Sequence, residues 1–83
     1  MKNMNLEEAK LIIAQRISSA INGRFEIPLL ETVLSHELGT ELYKSAIDLL
    51  RSEGSIIEVP HSEESHHHEW ELTEFGKKKY ILK

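Results

Sequence analysis

Cysteine is absent from this chain, which excludes disulfides, thiolate metal ligands and a cysteine nucleophile together and leaves packing or self-association to hold the core. No stretch approaches the ~20 apolar residues that a membrane-spanning helix needs, and residues 1–16 mix charged and apolar side chains without forming the apolar segment of a secretion signal. The expectation is a cytoplasmic protein without membrane association. There is no internal repeat, no Gly-rich phosphate loop and no His-Glu-x-x-His helix motif. Positive charge is scarce as well: ten Lys and Arg stand against fourteen Asp and Glu, a formal net charge of −4. Nucleic-acid affinity rests on Lys and Arg neutralising phosphates, so this balance opposes such binding unless the contacting surface is locally positive.

What is present suits one small domain. The chain has 83 residues, 40% hydrophobic and 29% charged, the balance of a folded globular protein with a modest core, and residues 1–83 are read as a single unit. Residues 5–22 predict a first helix: Asn5 and Glu8 have capping-box spacing, and Leu6, Ala9, Ile13, Ile17, Ala20 and Ile21 recur on one side with Ile12 at its edge. Gly23 is the expected helix end. Residues 24–27 predict a short extended piece with Phe25 and Ile27 on one side, and Pro28 opens a second helix that runs to Glu37 or Leu38 and breaks at Gly39.

A third helix is expected over residues 40–53, with Leu42, Tyr43, Ala46, Ile47, Leu49 and Leu50 as its apolar side and Gly54 as its stop. Branched residues then predict a strand over 55–59 with Ile57 and Val59 on one face. Residues 60–67 form a polar loop, apolar-free from Pro60 to Ser65, and a returning strand over 67–72 carries Trp70 and Leu72. Thr73 caps a last short helix, Glu74 to Tyr80, with Phe75 packing inward. On this alternation Phe25, Ile57 and Trp70 share the covered side of one three-stranded sheet.

Two runs give the chain a family likeness. ELYKSAIDLLRSEGSIIEV, residues 41–59, resembles a recognition helix followed by the first wing strand, ending in an acidic residue and glycine before an apolar strand. ELTEFGKKKY, residues 71–80, is similar to the Leu-Thr-x-x-Gly run that leaves the second wing strand. With their order and spacing, these resemble the winged helix-turn-helix domains of prokaryotic transcription regulators. The resemblance implies an α+β fold with three main helices, a small antiparallel sheet and a short C-terminal helix, in which residues 60–67 are the wing loop.

The resemblance also implies double-stranded DNA as partner, with the third helix in the major groove and the wing on adjacent backbone. Carried onto this chain, the DNA-binding candidates are Thr40, Glu41, Lys44, Ser45, Asp48 and Arg51 on the helix, with Ser52 near its end, and His66 and His67 on the wing. Lys77, Lys78 and Lys79 are a concentrated positive run able to reach a phosphate backbone or to complement the end of the last helix. Glu41 and Asp48 oppose phosphate, as do Glu63 and Glu64 in the wing loop, so a protein-interaction module using an acidic helix or wing surface is the alternative. Regulators of this kind commonly pair on palindromic operators, so a homodimer is expected, with the apolar surface of the first helix, Ile12 included, as one possible contact.

Catalytic residues are not expected, because the wing's serines and histidines lack a fixed base in a dry pocket. A metal cofactor is not expected either: on a strand His66 and His68 face one side and His67 the other, so the triple histidine is no preformed tetrahedron even with His61 or Glu64 nearby.

Overall fold

The computed structural model describes residues 5–20, 22–60 and 67–82. Helix α1 spans Leu6–Ser18, α2 Ile27–Leu38, α3 Thr40–Ser52 and α4 Glu74–Tyr80; the strands are β1 Arg24–Glu26, β2 Ile56–Pro60 and β3 His68–Leu72. The strands form one antiparallel sheet in the order β1-β3-β2. This is the expected α+β arrangement of three main helices, a small antiparallel sheet and a short C-terminal helix. Among the described residues no helix is long and apolar enough to cross a membrane.

Helix α1 starts as its sequence dictates. Asn5 Oδ1 accepts from Glu8 N at 2.8 Å and Glu8 Oε1 accepts from Asn5 N at 3.3 Å, closing the capping box. The helix ends earlier than expected, at Ser18 and not at Asn22. Beyond it the backbone turns, with Ala20 N donating to Ile17 O and Gly23 N to Ala20 O. Asn22 Oδ1 accepts from Arg24 N at 3.0 Å, the local side-chain bond by which asparagine competes with helical pairing. Ile21, expected on the apolar side, lies outside the described residues.

The extended piece is also shorter than the alternation suggested, because Ile27 is the first residue of α2 and not a strand residue. Pro28 sits in the first helical turn, where its fixed φ fits and its missing N–H needs no helical acceptor. Gly39 alone joins α2 to α3; its φ of 92° lies where a Cβ is strained, and it makes the turn between the two helices in one residue. At the other end of α3, Gly54 (φ 81°) and Ser55 close the helix, with Gly54 N donating to Arg51 O and Ser55 N to Leu50 O at 2.9 Å, the double bond pattern of a Schellman motif.

That turn sets the register of the sheet. Ile56 is buried opposite Leu72, while Ile57, expected on the covered face, is 45% exposed and pairs with Glu71. A one-residue offset sends every side chain of a strand to the other face. Ser55, fully buried and accepting from Thr73 N through its carbonyl, fixes that offset. Phe25 and Trp70 are register partners as expected, with Glu58 on the far side of Trp70.

Two further expectations on packing reverse. Leu49 is 39% exposed, so the buried side of α3 is Tyr43, Ala46, Ile47 and Leu50. Phe75 is 51% exposed, because Gly76 and Tyr80, one helical turn apart, take the inward face of α4. Gly76 is required there: a Cβ would stand 2.2 Å from Ser55 O. The core is otherwise continuous, joining Ala9, Ile13 and Ile17 of α1 to Leu30 and Leu34 of α2, the inner side of α3 and the covered face of the sheet. Ile12, considered as a dimer contact, is half-buried and packs against this core.

Candidate functional site

Helix α3 presents its candidates as one surface. Thr40, Glu41, Lys44, Ser45, Asp48, Arg51 and Ser52 are all exposed, and at 100° per residue they occupy an arc of about 140° facing away from the core. The face is mixed in sign. Glu41 and Asp48 balance Lys44 and Arg51, and among the described residues neither cation forms an ion pair. Along the edge of α3 nearest the sheet lie Lys44, Asp48 and Arg51, and the Arg51 guanidinium stands 5.4 Å from the Trp70 ring centroid. That contact ties a cation of α3 to the central strand at a cost in freedom that the ring offsets.

The remaining cations are not gathered on this surface. Lys77 pairs with Glu74 at 3.9 Å, and Lys79 reaches Glu53 at 3.4 Å while lying over the rings of Phe75 and Tyr80. Lys78 is exposed and makes no ion pair among the described residues. Glu53 is nine residues beyond Lys44, so Lys79 is anchored about 13 Å further along the helix axis. Arg51, only two residues before Glu53, lies on the opposite side of the helix from it at about 100° per residue, so Lys79 is held apart from both unpaired cations.

At the start of β3, His67 is exposed and His68 pairs through Nδ1 with the Glu58 carboxylate. His66 lies outside the described residues, as do His61, Glu63 and Glu64 of the loop. Among the described residues no three His, Cys, Asp or Glu side chains gather as metal ligands.

One polar cluster escaped the sequence reading. Lys10 is buried on α1, and its ammonium lies 2.8 Å from Glu53 and 3.3 Å from Glu7. Glu53, the C-cap of α3, also accepts from Tyr80 Oη at 2.6 Å and Ser55 Oγ at 2.5 Å. Four segments, α1, the end of α3, the turn before β2 and α4, thus meet at one carboxylate. Burial alone pushes that carboxyl upward, but the bonds from Lys10, Ser55 and Tyr80 outweigh it and hold it at about 2. Its hydrogen bond to Glu53 raises the Lys10 ammonium well above its ordinary value despite burial. Burial first, then the bond to Glu53, raises the Tyr80 phenol. A signal was present: Lys10 follows Leu6 by four residues and precedes Ile13 by three, which places it within the apolar stripe. The acidic residue before Gly54, noted as part of the family likeness, has this packing role.

The cluster is structural in kind, a buried ammonium on a partly buried carboxylate, each already partnered. The α3 face has the opposite character, with exposed polar groups whose hydrogen-bonding capacity is free for a partner. No protein-family profile, no curated protein and no solved structure matches this chain.

Proposed function

We propose that this protein is a non-enzymatic DNA-binding transcription regulator of the winged-helix kind, which acts by occupying an operator with α3 in the major groove. The observation that carries this reading is the exposed face of α3: the second helix of a tight helix-turn-helix unit bears hydrogen-bonding side chains along its free side, with Lys44 and Arg51 unpaired. Lys44 and Arg51 are suited to phosphate or guanine, Glu41 and Asp48 to the cytosine amino group, and Ser45 and Thr40 to either. The acidic residues lower general affinity and favour selectivity, since a carboxylate facing phosphate or a wrong base is repelled.

The test is a selection from random duplex DNA with the purified chain, followed by salt-dependent binding of the enriched sequence. An enriched motif is expected, with Lys44→Ala and Arg51→Ala weakening it and a lost phosphate contact lowering the salt slope by about one. Absence of any motif contradicts the reading. Binding by a pair of copies on a two-fold site is part of the proposal, and a monomer by sedimentation equilibrium on the enriched duplex speaks against that part.

A second reading, a protein-interaction module, is favoured by a separate observation. Lys77, Lys79 and His68 are engaged with Glu74, Glu53 and Glu58, which leaves few cations for a phosphate backbone. Under it, substitutions on α3 disrupt a protein complex while DNA association stays weak and unselective.

A further inference from the structure

Beside the recognition face lies a cleft that DNA binding does not explain. It measures about 220 Å³ and sits between the first turns of α2, the sheet-side edge of α3 and β3. Its apolar lining is Ile27, Ile47, Tyr43 and Trp70; its charged lining is Glu31, Lys44 and Asp48. Drug-sized ligands occupy roughly 300–1,000 Å³, so this volume suits a single side chain.

The chemistry of the lining narrows the occupant. Glu31 and Asp48 make no ion pair among the described residues, and within the lining they outweigh Lys44; Arg51 stands outside the lining, against Trp70. Tyr43, at the cleft, has its phenol pushed up to about 12 by burial and then by the charge of Glu31, which shows how closely that carboxylate acts on the aromatic lining. Trp70 already receives the Arg51 guanidinium at 5.4 Å, so the ring is used as a cation platform within the molecule. A long aliphatic stem ending in a cation meets every one of these features, the stem lying on the isoleucines and rings and the head between the two carboxylates. The same two carboxylates repel a phosphate.

We propose that this cleft is a docking site for an arginine or lysine side chain of a partner protein. The proposal goes beyond the DNA-binding reading and is tested without DNA, so either can fail alone. The probe is a blocked five-residue peptide with one central arginine, compared with the same peptide carrying neutral citrulline. Binding to the whole chain is followed by the emission of Trp70, the sole tryptophan, and by backbone amide shifts. Saturable binding that moves the amides of Ile27, Tyr43 and Ile47 is expected. Citrulline, or the double change Glu31→Gln with Asp48→Asn, should weaken it at least tenfold. The pair Glu37→Gln with Glu74→Gln removes the same charge away from the cleft and should leave affinity within twofold. Urea midpoints close to wild type establish that all variants are folded. Equal binding of the citrulline peptide, equal loss in the two double variants, shifts confined to other residues, or no saturable binding at millimolar peptide each overturns the proposal.

Discussion

The C-terminal end of α3 and its exposed face both carry charge, and the two are organised differently. At the end, Glu53 is held by Lys10, Tyr80 and Ser55, with Lys79 alongside, and its carboxylate joins four segments. Along the face, Glu41, Lys44 and Asp48 are exposed without ion-pair partners among the described residues, and Arg51 touches only a ring. Interactions satisfied inside the fold contribute to stability, and unsatisfied exposed groups are those a partner can meet. Substitutions at the two places should therefore fail in different assays, stability for the first and binding for the second.

The largest expected effect lies just inside both regions. Leu50 is fully buried on α3, and Leu50→Ala should cost about 2–5 kcal/mol in urea unfolding. Asp48→Ala, two residues away on the free face, should stay within about 0.5 kcal/mol. Similar losses for the two would erase the distinction between inner and outer faces.

Next comes the carboxylate junction. Lys10→Ala removes one member of a largely buried pair and should destabilise by about 1.5–3 kcal/mol, the range for a lost hydrogen bond to a charged group, because Glu53 keeps Tyr80, Ser55 and Lys79. The pair also gives an acid signature. Because the folded-state value of Glu53 is depressed from 4.5 to about 2, its contribution is complete above pH 4.5 and is lost as pH falls toward 2, a loss of about 3 kcal/mol that overlaps the Lys10 effect and is not added to it. Glu53→Gln should flatten the stability profile over that window. A profile unchanged by this substitution would show that the carboxylate is not held as described.

A smaller effect is expected at the junction of α2 and α3. Gly39→Ala meets no steric obstacle but must adopt a φ of 92°, which should cost about 1–3 kcal/mol. Because this residue sets the pose of α3 on α2, the variant should also weaken whatever partner α3 binds. Retention of full stability would mean the backbone relaxes to another turn.

These predictions rest on features of unequal legibility in the sequence. Helix order, the capping residues Asn5 and Thr73, and the glycine stops at Gly39 and Gly54 were readable because each depends on chemistry within a few residues. The strand faces were not, since the choice between Ile56 and Ile57 is made by the Gly54–Ser55 turn and by the bonds from Thr73 to Ser55 and Gly54, 18 and 19 residues distant in chain order. Phe75 misled for a similar reason: an aromatic ring is the natural inward residue, but close approach of α4 to Ser55 gives that place to Gly76. Apart from Leu49, the exposed set on α3 was legible from helical period alone. Which cations were already partnered was not, because Lys79 with Glu53 and His68 with Glu58 are contacts between separate elements.

The most direct test of the contrast between the paired end of α3 and its free face is an amide shift map with the DNA sequence recovered by selection. The account predicts the largest changes at Thr40, Lys44, Ser45, Asp48 and Arg51, with little at Lys10 and Tyr80. Changes concentrated at Lys77, Lys78 and Lys79, with the α3 face unmoved, would contradict it.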